Sequence, residues 1–420
     1  MAEEPVAITG MGVVLPGADD AASFWDHLRA GRSQVSALDR FDSDAEQLRV
    51  FAGGQLRDFD HRGFLPGLPD RHAAKYSTEI LAGLAAVSAA HQDSGIPQAG
   101  GLDPRRLSVV QSTSRGGLSW WVGGDNPPGP GADLDNGAMF RGLAGSPASL
   151  AAIHIGAKGL VTTVSSACVG GHHAIGLALR ELRSGASDAV LVGGTEFPLV
   201  PAVLRTFQAL GPGVLSPERD VPEQAVRPYS AHRNGMALGE GAICLMLERA
   251  SDATARGADV YAHVYSAAAM NEAGHATSMD LTGKVTAELI SDAVEDAGRS
   301  LNDVGYFCGH GTATHYNDLA ESRALRALYP HRPVASLPPI GSNKPVFGHT
   351  LGMAGIVNVA ATALMLRHQE LAPTINVGEV APECDHDHVA EGARTAGFDL
   401  AVSLAFAIGS QTSAVVLGRA

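Results

Sequence analysis

Several features are scarce or missing in this sequence, and each absence excludes a class of protein. The chain shows neither a basic N-terminal segment with an apolar run nor a long apolar stretch later on. We therefore expect neither a signal peptide nor a membrane span. No CxxC or HExxH pairing occurs, so the sequence predicts no metal site. Only four of the 420 residues are cysteine, which fits free thiols in a reducing cytoplasm.

Positive charge is scarce as well. The 30 Lys and Arg residues are outnumbered by 44 Asp and Glu residues, and the net charge of −14 argues against general nucleic-acid binding. Charged residues make up 18% of the chain and hydrophobic residues 45%. This composition is typical of a globular protein with a large core and excludes a disordered chain.

Short β-branched segments alternate with Ala- and Leu-rich segments along the chain, which indicates an α/β protein with covered, mostly parallel sheets. A glycine- and proline-rich stretch at 123–136 is predicted to be a surface loop or a partner-contact segment. Strands are predicted at 159–164, 242–247 and 260–265, and helices at 172–182, 202–210, 285–297 and 354–366.

Cys168 is the strongest candidate for a nucleophile, although a lone cysteine is more often a small buried hydrophobic residue. It lies in Val-Ser-Ser-Ala-Cys-Val-Gly-Gly (164–171), where a predicted strand turns into a predicted helix. The first N–H groups and the dipole of a helix stabilise a thiolate, so we expect a lowered thiol pKa. Cys244 is predicted to be a core residue, and Cys308 is expected to line the site without acting in it.

Two histidines occupy glycine-rich turns, His310 in Gly-His-Gly-Thr-Ala-Thr and His349 in Phe-Gly-His-Thr-Leu-Gly. With 17 histidines in the chain, most must be surface or packed residues, and His172 and His173 are expected to pack or to face a partner. A neutral imidazole donates a hydrogen bond and titrates near neutral pH. One thiol and two imidazoles therefore suggest a nucleophile with two assistants.

These segments, in this order, give the sequence a resemblance to a known family. The opening strand at 6–12, the motifs at 227–242, 310–321 and 341–349, and the closing glycine-rich turn at 406–410 span almost the whole chain. Together they resemble the β-ketoacyl synthases, decarboxylating Claisen-condensing enzymes of the thiolase superfamily, in their free-standing form. The resemblance implies a thiolase-like five-layer αβαβα fold of two similar α/β halves. Residues 1–255 would carry the nucleophile and residues 256–420 the two histidines.

The resemblance also implies a role for each residue of the site. Cys168 would hold the acyl group, and the N–H groups of Cys168 and Ile408 would form the oxyanion hole. His310 and His349 would stabilise the enolate formed when a malonyl-type extender loses carbon dioxide. Other matching residues are Lys344, which would fix the second histidine, Glu321 with Asp318, which would face that lysine or hold the loop, and Thr312 with Thr314, which would line the pantetheine channel.

A partner follows from the same resemblance. The substrates would arrive on the phosphopantetheine of an acyl carrier protein, with no separate cofactor, and Arg71, Lys75 and Arg205 are candidates for docking that carrier. The chain would form a homodimer or a heterodimer with a chain-length-factor-like subunit. A cytoplasmic location is expected.

The departures from the family pattern concern the acyl pocket. Ile408 replaces the Phe that gates the nucleophile in close fatty-acid relatives, and Arg115 falls where an apolar residue normally meets the end of the acyl chain. A guanidinium is costly to desolvate against an alkyl tail. Either the pocket is short or polar, or Arg115 points away from it and binds a carboxylate of the partner subunit. Trp120 and Trp121 could line the pocket or pack at a subunit interface. These changes favour a polyketide pathway over ordinary fatty-acid elongation.

Two alternative functions use the same fold. A repurposed family member could transfer acyl groups or condense them without decarboxylation, but thiolases use a second Cys where this chain has His349. A non-catalytic chain-length-factor-like subunit is the other alternative. Such subunits have lost the nucleophile, whereas this chain has Cys168 with both histidines.

Overall fold

The structure, a computed structural model, describes residues 3–122 and 134–420. Most of the loop predicted over 123–136 therefore lies outside the described residues. Its strands are β1 (Val6–Val14), β2 (Ser36–Ala37), β3 (Ala52–Gly53), β4 (Leu107–Ser112), β5 (Val161–Val164), β6 (Ala189–Glu196), β7 (Gly241–Arg249), β8 (Ala262–Asn271), β9 (Val304–Cys308), β10 (Ile340–Gly341), β11 (Glu370–Leu371), β12 (Arg394–Thr395), β13 (Leu400–Ala407) and β14 (Gln411–Gly418). Its α-helices are α1 (Ala21–Ala30), α2 (Asp70–Ala73), α3 (Thr78–Asp93), α4 (Leu118–Val122), α5 (Ala138–Arg141), α6 (Ser146–Ile155), α7 (Gly170–Arg183), α8 (Pro201–Gln208), α9 (Ala250–Ala255), α10 (Lys284–Asp296), α11 (His315–Leu328), α12 (Lys344–Phe347) and α13 (Ala354–His368).

The local predictions around the site are confirmed. The strand expected before Cys168 is β5 and the helix after it is α7, and the helix expected after His349 is α13. Apolar periodicity and the flanking glycines determine these elements, because each buries one face or both faces in the core.

One large sheet contains ten strands in the order β10-β9-β13-β14-β8-β1-β7-β6-β4-β5. Strands β4, β5 and β6 are parallel, as are β9, β10 and β13, but the other neighbours in the sheet are antiparallel. The prediction of mostly parallel sheets is therefore wrong. Hairpin connections reverse the chain direction, and the turn between β13 and β14 is a hairpin of this kind.

Three hydrophobic clusters define the layers. The central cluster places α7 and α13 between strands of the two halves, with β1 and β7 on one side and β13 and β14 on the other. A second cluster covers the N-terminal strands with α3 and α6, and a third covers the C-terminal strands with α10 and α11. The result is the expected five-layer α/β architecture, with the helices that follow Cys168 and His349 side by side in the middle.

One helical segment, Leu351–His368, is long and apolar enough to cross a membrane by length and composition alone, but 89% of it is buried inside the protein. That degree of burial is typical of the core helix of a globular fold. The segment forms part of the middle layer described above, beside α7.

A pair of glycine substitutions tests this packing. A Cβ on Gly12 in β1 would lie 2.0 Å from the carbonyl oxygen of Ala86 in α3, whereas a Cβ on Gly176 in α7 would meet only the Cβ of Ala267 at 3.7 Å. We expect Gly12→Ala to destabilise the protein by about 1–3 kcal/mol through overpacking. Gly176→Ala should stabilise it by about 0.5–1 kcal/mol through helix propensity.

The two variants are compared by denaturant unfolding followed by circular dichroism. Equal midpoints for Gly12→Ala and Gly176→Ala would contradict the close approach of β1 to α3.

Candidate active site

Cys168 lies in the tight turn between β5 and α7. The preceding Ala167 has a positive φ of 46°, an uncommon conformation for a residue with a side chain. Gly170 begins α7, and a Cβ there would lie 2.5 Å from the Ser112 hydroxyl oxygen. The turn therefore holds the nucleophile against β4, while the Cys168 side chain stays partly exposed.

The structure brings together the three residues that the sequence singled out. The Cys168 sulfur, one ring nitrogen of His310 and one of His349 all lie within 4.8 Å of one another. The two imidazole rings are 5.0 Å apart and nearly perpendicular, at 87°. The Nδ1 atoms of both rings are buried and have no hydrogen-bond partner within residues 3–122 and 134–420. Buried polar atoms left free in this way are typical of a site that receives a polar ligand.

Buried charged groups hold the backbone of His310 in place. The Glu321 carboxylate accepts hydrogen bonds from the His310 N–H and from the Gly311 N–H, the latter at 2.9 Å, and from the Tyr229 hydroxyl at 3.0 Å. The Lys344 ammonium group donates to the His310 carbonyl oxygen. Glu321 thus holds the loop. Lys344 contacts the first histidine through this hydrogen bond and acts on the second, His349, through its charge.

His349 is fixed by the segment that contains the motif at 227–242. Its N–H donates to the Ala237 carbonyl oxygen at 2.8 Å, and its own carbonyl accepts from the Gly239 N–H at 2.9 Å. The buried Glu196 carboxylate accepts from the N–H groups of Ser114 at 2.7 Å and Gly352 at 3.0 Å. Glu196 therefore joins the turn after β4 to the turn after His349. Sequence analysis missed Glu196, which is the last residue of β6.

The site is electrically neutral at its centre. Burial lowers the pKa of His310 and of His349 well below the usual value, and the Lys344 charge lowers both further. Burial raises the pKa of the Cys168 thiol, although Lys344 opposes the rise. This direction is opposite to the lowering expected from the helix start, because burial has the largest effect on the thiol pKa. A neutral imidazole is the group beside the thiol that can accept its proton.

The same three atoms could ligate a soft metal ion, since thiolate and imidazole are usual zinc ligands. The buried Lys344 ammonium group disfavours a cation at this position. Among the described residues, no other group of three or more potential ligands is close enough to hold a metal ion.

Residues around the centre differ in how far the structure supports their predicted places. Thr312 is buried, and its hydroxyl lies 2.8 Å from that of Thr314. Ile408 follows β13 at the tip of the hairpin and is 48% exposed, and Phe406, two residues earlier, has its ring 5.9 Å from that of His310. The roles predicted for Ile408 and the two threonines stay predictions.

The basic residues lie at the surface. Arg71 on α2 is exposed and Lys75 just after it is half-buried, whereas Arg205 on α8 is paired with Glu46. Arg115 is also exposed, and its guanidinium lies 4.8 Å from the centre of the Phe207 ring.

Arg115 nevertheless lies within electrostatic reach of the site. Burial raises the pKa of Glu196 to about 6, and the Arg115 charge opposes that rise. A narrow cavity of about 20 Å³ lies beside the turn that contains Arg115, lined by Ile80, Thr113, Gly116 and Phe197 among others. Arg115 itself does not line this cavity, so its predicted contact with the acyl chain stays a prediction.

A thiol and two neutral imidazoles at the centre of a five-layer α/β fold define a thiolase-like condensing enzyme. Family models support this class along most of the chain. The model of the β-ketoacyl synthase N-terminal domain matches residues 3–253, and that of the C-terminal domain matches residues 261–378. The chain belongs to the β-ketoacyl synthase family and is a ketosynthase.

Relatives of known function agree with this assignment. The chain is 34% identical, over 100% of its length and 98% of the relative, to the tetracenomycin polyketide synthase ketoacyl synthase alpha subunit of Streptomyces glaucescens. It is 31% identical to 3-oxoacyl-[acyl-carrier-protein] synthase 2 of Synechocystis, over 96% of this chain and 95% of the relative.

Solved structures are similar over their whole length. The ishigamide ketosynthase/chain length factor matches with a TM-score of 0.88 and 27% identity, covering 100% of both chains. A type II polyketide ketosynthase bound to a hexaketide, in complex with its acyl-carrier protein, matches with a TM-score of 0.86 and 28% identity, again covering 100% of both chains.

The place of Arg115 in the turn after β4, beside the cavity, leads to a prediction about chain length. An Arg side chain near the tail of the acyl pocket removes both volume and hydrophobicity. We therefore expect Arg115→Ile to shift acyl loading toward longer unsubstituted chains, measured by intact-mass analysis with a series of acyl-carrier thioesters. Arg115→Lys, which keeps the charge, is the matched control.

The competing role for Arg115 is pairing across a subunit interface. In that case Arg115→Ile would weaken self-association in sedimentation and leave the chain-length profile unchanged, and the pocket prediction would be wrong.

Proposed function

We propose that the protein condenses an acyl group held on Cys168 with a malonyl-acyl carrier protein, releasing carbon dioxide and forming a β-ketoacyl-carrier in a type II polyketide pathway or a specialised fatty-acid pathway. The observation that supports this most is the group of one thiol and two imidazoles within 4.8 Å. A non-catalytic partner subunit would not need a thiol beside two imidazoles. We also propose that the two halves divide near residue 255.

The first half of the reaction is acyl transfer to Cys168. As the sulfur attacks the thioester carbonyl of the incoming acyl-carrier, a neighbouring imidazole takes the thiol proton in the same step. The N–H groups of Cys168 and Ile408 stabilise the resulting oxyanion. The tetrahedral intermediate then collapses, and the carrier thiol leaves with the proton.

The second half is decarboxylation followed by condensation. The carbon–carbon bond to the malonyl carboxylate breaks, and its electron pair forms an enolate whose oxygen accepts hydrogen bonds from His310 and His349. Both rings are neutral, because burial and Lys344 keep their pKa low, so each donates through one nitrogen. The enolate carbon then attacks the acyl carbonyl, and Cys168 leaves as a thiolate that takes up one proton from water to restore the thiol.

Partners follow from the same reaction. We infer that an acyl carrier protein delivers both substrates on its phosphopantetheine, that no separate cofactor is needed, and that the enzyme is cytoplasmic with its four cysteines free. A second subunit, identical or chain-length-factor-like, is proposed as well. Large hydrophobic side chains that are exposed in this single chain concentrate between residues 121 and 160, among them Trp121, Met139 and Ile153. Aromatic and Met side chains are enriched at subunit interfaces.

Two kinds of variant separate the roles of the site. Cys168→Ala should lose all covalent acyl loading while keeping the fold. His310→Ala and His349→Ala should still load an acyl group but release carbon dioxide from malonyl-carrier about 10²–10³-fold more slowly, since each removes an oriented hydrogen-bond donor.

Loading is read by intact mass and decarboxylation by labelled carbon dioxide release. An acyl adduct on Cys168→Ala would disprove the assignment of Cys168 as the nucleophile. Normal decarboxylation by both histidine variants would disprove the proposed role of His310 and His349 in decarboxylation.

Carrier docking gives a further prediction. The exposed Arg71 and the half-buried Lys75 would attract an acidic carrier, and such attraction weakens as salt rises. We expect the double reversal Arg71→Glu with Lys75→Glu to raise the apparent KM for the carrier at low salt, with a smaller effect at high salt. Arg105→Glu is the matched control, because Arg105 is exposed but already paired with Asp103. An unchanged KM for the double variant would place docking elsewhere.

A further inference from the structure

His172 is a buried polar side chain that the proposed reaction does not use. It is only 2% exposed, and both of its ring nitrogens have partners. Nδ1 lies 3.0 Å from the Ser413 hydroxyl oxygen and Nε2 lies 3.0 Å from the Ser403 hydroxyl oxygen. Burial lowers the pKa of this imidazole to about 3, so the ring is neutral at working pH. Sequence analysis expected His172 to pack or to face a partner, and it packs.

The partners of His172 belong to the hairpin that carries the second oxyanion donor. His172 is in the first turn of α7, four residues after Cys168, whereas Ser403 is on β13 and Ser413 on β14. The turn between these two strands contains Ile408. One side chain therefore connects the helix start that presents the Cys168 N–H with the hairpin that presents the Ile408 N–H.

The bonding pattern assigns a direction to both hydrogen bonds. The Ser413 hydroxyl donates to the Ala405 carbonyl oxygen at 3.4 Å, which leaves its oxygen to accept from Nδ1–H of His172. Nε2 then accepts from the Ser403 hydroxyl, because a neutral imidazole has one donor and one acceptor. With a partner at each nitrogen, the ring is held in a single orientation.

The helix that follows His349 also contacts this ring. A Cβ on Gly355 in α13 would lie 2.7 Å from Cδ2 of His172 and 2.8 Å from its backbone nitrogen. The α13 backbone therefore packs directly on His172. The position of this imidazole is set by the three segments that contain Cys168, Ile408 and His349.

We propose that His172 is a positioning residue that fixes the Ile408 N–H relative to the Cys168 N–H, so that both donors reach the same oxyanion. The proposal rests on the condensing function proposed above. An oxyanion hole assembled from two distant segments needs both donors held to within a fraction of an ångström, and a misplacement of about 1 Å costs about 100-fold in rate. The two serines and the imidazole supply directional bonds between those segments that apolar packing would not.

Two reactions of Cys168 differ in their need for the oxyanion hole. In acyl transfer the thiolate adds to a carbonyl, and negative charge builds on oxygen. In alkylation by iodoacetamide the sulfur forms a bond to the CH₂ carbon while iodide leaves, and no oxyanion forms. A residue that only positions the oxyanion donors should affect the first reaction and not the second.

The test compares His172→Leu, His172→Gln and Ser413→Ala with Thr412→Val. Thr412 is the neighbour of Ser413 on β14, is buried, and has a hydroxyl without a hydrogen-bond partner among the described residues, so its isosteric Val variant is the matched control. We expect His172→Leu and Ser413→Ala to slow acyl transfer to Cys168 by about 10- to 100-fold with alkylation within twofold of wild type. His172→Gln, which keeps a donor and an acceptor, should recover most of the rate, and Thr412→Val should resemble wild type.

Two results would overturn the proposal. If Ser413→Ala and His172→Leu transfer acyl groups at the wild-type rate, His172 does not position the donors. If alkylation and acyl transfer fall together, its role is to hold the nucleophile turn or the fold in general. Should His172→Leu fail to fold, Ser413→Ala and Ser403→Ala decide the question alone. Wild-type protein that takes up no acyl group would instead disprove the proposed function.

Discussion

The middle helical layer is closely packed where α7 and α13 begin, and the site depends on this contact. A Cβ on Gly171 would lie 2.8 Å from the Ile356 nitrogen. Cβ atoms in real proteins essentially never come this close to a heavy atom of a distant residue. The same holds for Gly355 against His172. Any larger residue at either glycine would push the helices apart. Cys168 precedes one helix and His349 precedes the other, so the distance between thiol and imidazole is set by a contact between backbones.

The arrangement around His310 depends on buried charged side chains. Lys344 is 1% exposed, and Glu321 and Asp318 are fully buried. Charges this deep are stable only with partners, because desolvation costs several kcal/mol for each ion. Burial raises the pKa of Glu321 to about 7 and that of Asp318 to about 6. Glu321 and Lys344 bind the backbone of the His310 turn and not its ring, whereas Asp318 accepts from the Tyr229 N–H. The turn is therefore held in place while the imidazole stays available to a substrate.

The parts of this structure that could be predicted from the sequence are those that local sequence patterns determine. The strand, tight turn and helix around Cys168 follow from apolar periodicity and glycine positions, and the order of the motifs predicted that Cys168, His310 and His349 would meet. Strand directions, the pKa of the thiol and the partners of His172 could not be predicted in this way. Each depends on neighbours that are distant in sequence, and desolvation in particular is set by the completed fold.

In the proposed reaction a resting site without a thiolate or an imidazolium has a chemical advantage. An imidazolium would hold the malonyl carboxylate as an ion pair, and stabilising that ground state would oppose the loss of carbon dioxide. Two neutral imidazoles interact more strongly with the enolate oxygen than with the malonyl group before decarboxylation, because that oxygen bears charge only as the carboxylate leaves. Burial keeps both rings neutral, and the Lys344 charge reinforces this effect. Lys344 also adds positive potential from behind the His310 backbone. The buried ammonium group thus favours the negatively charged intermediate without itself reaching the substrate.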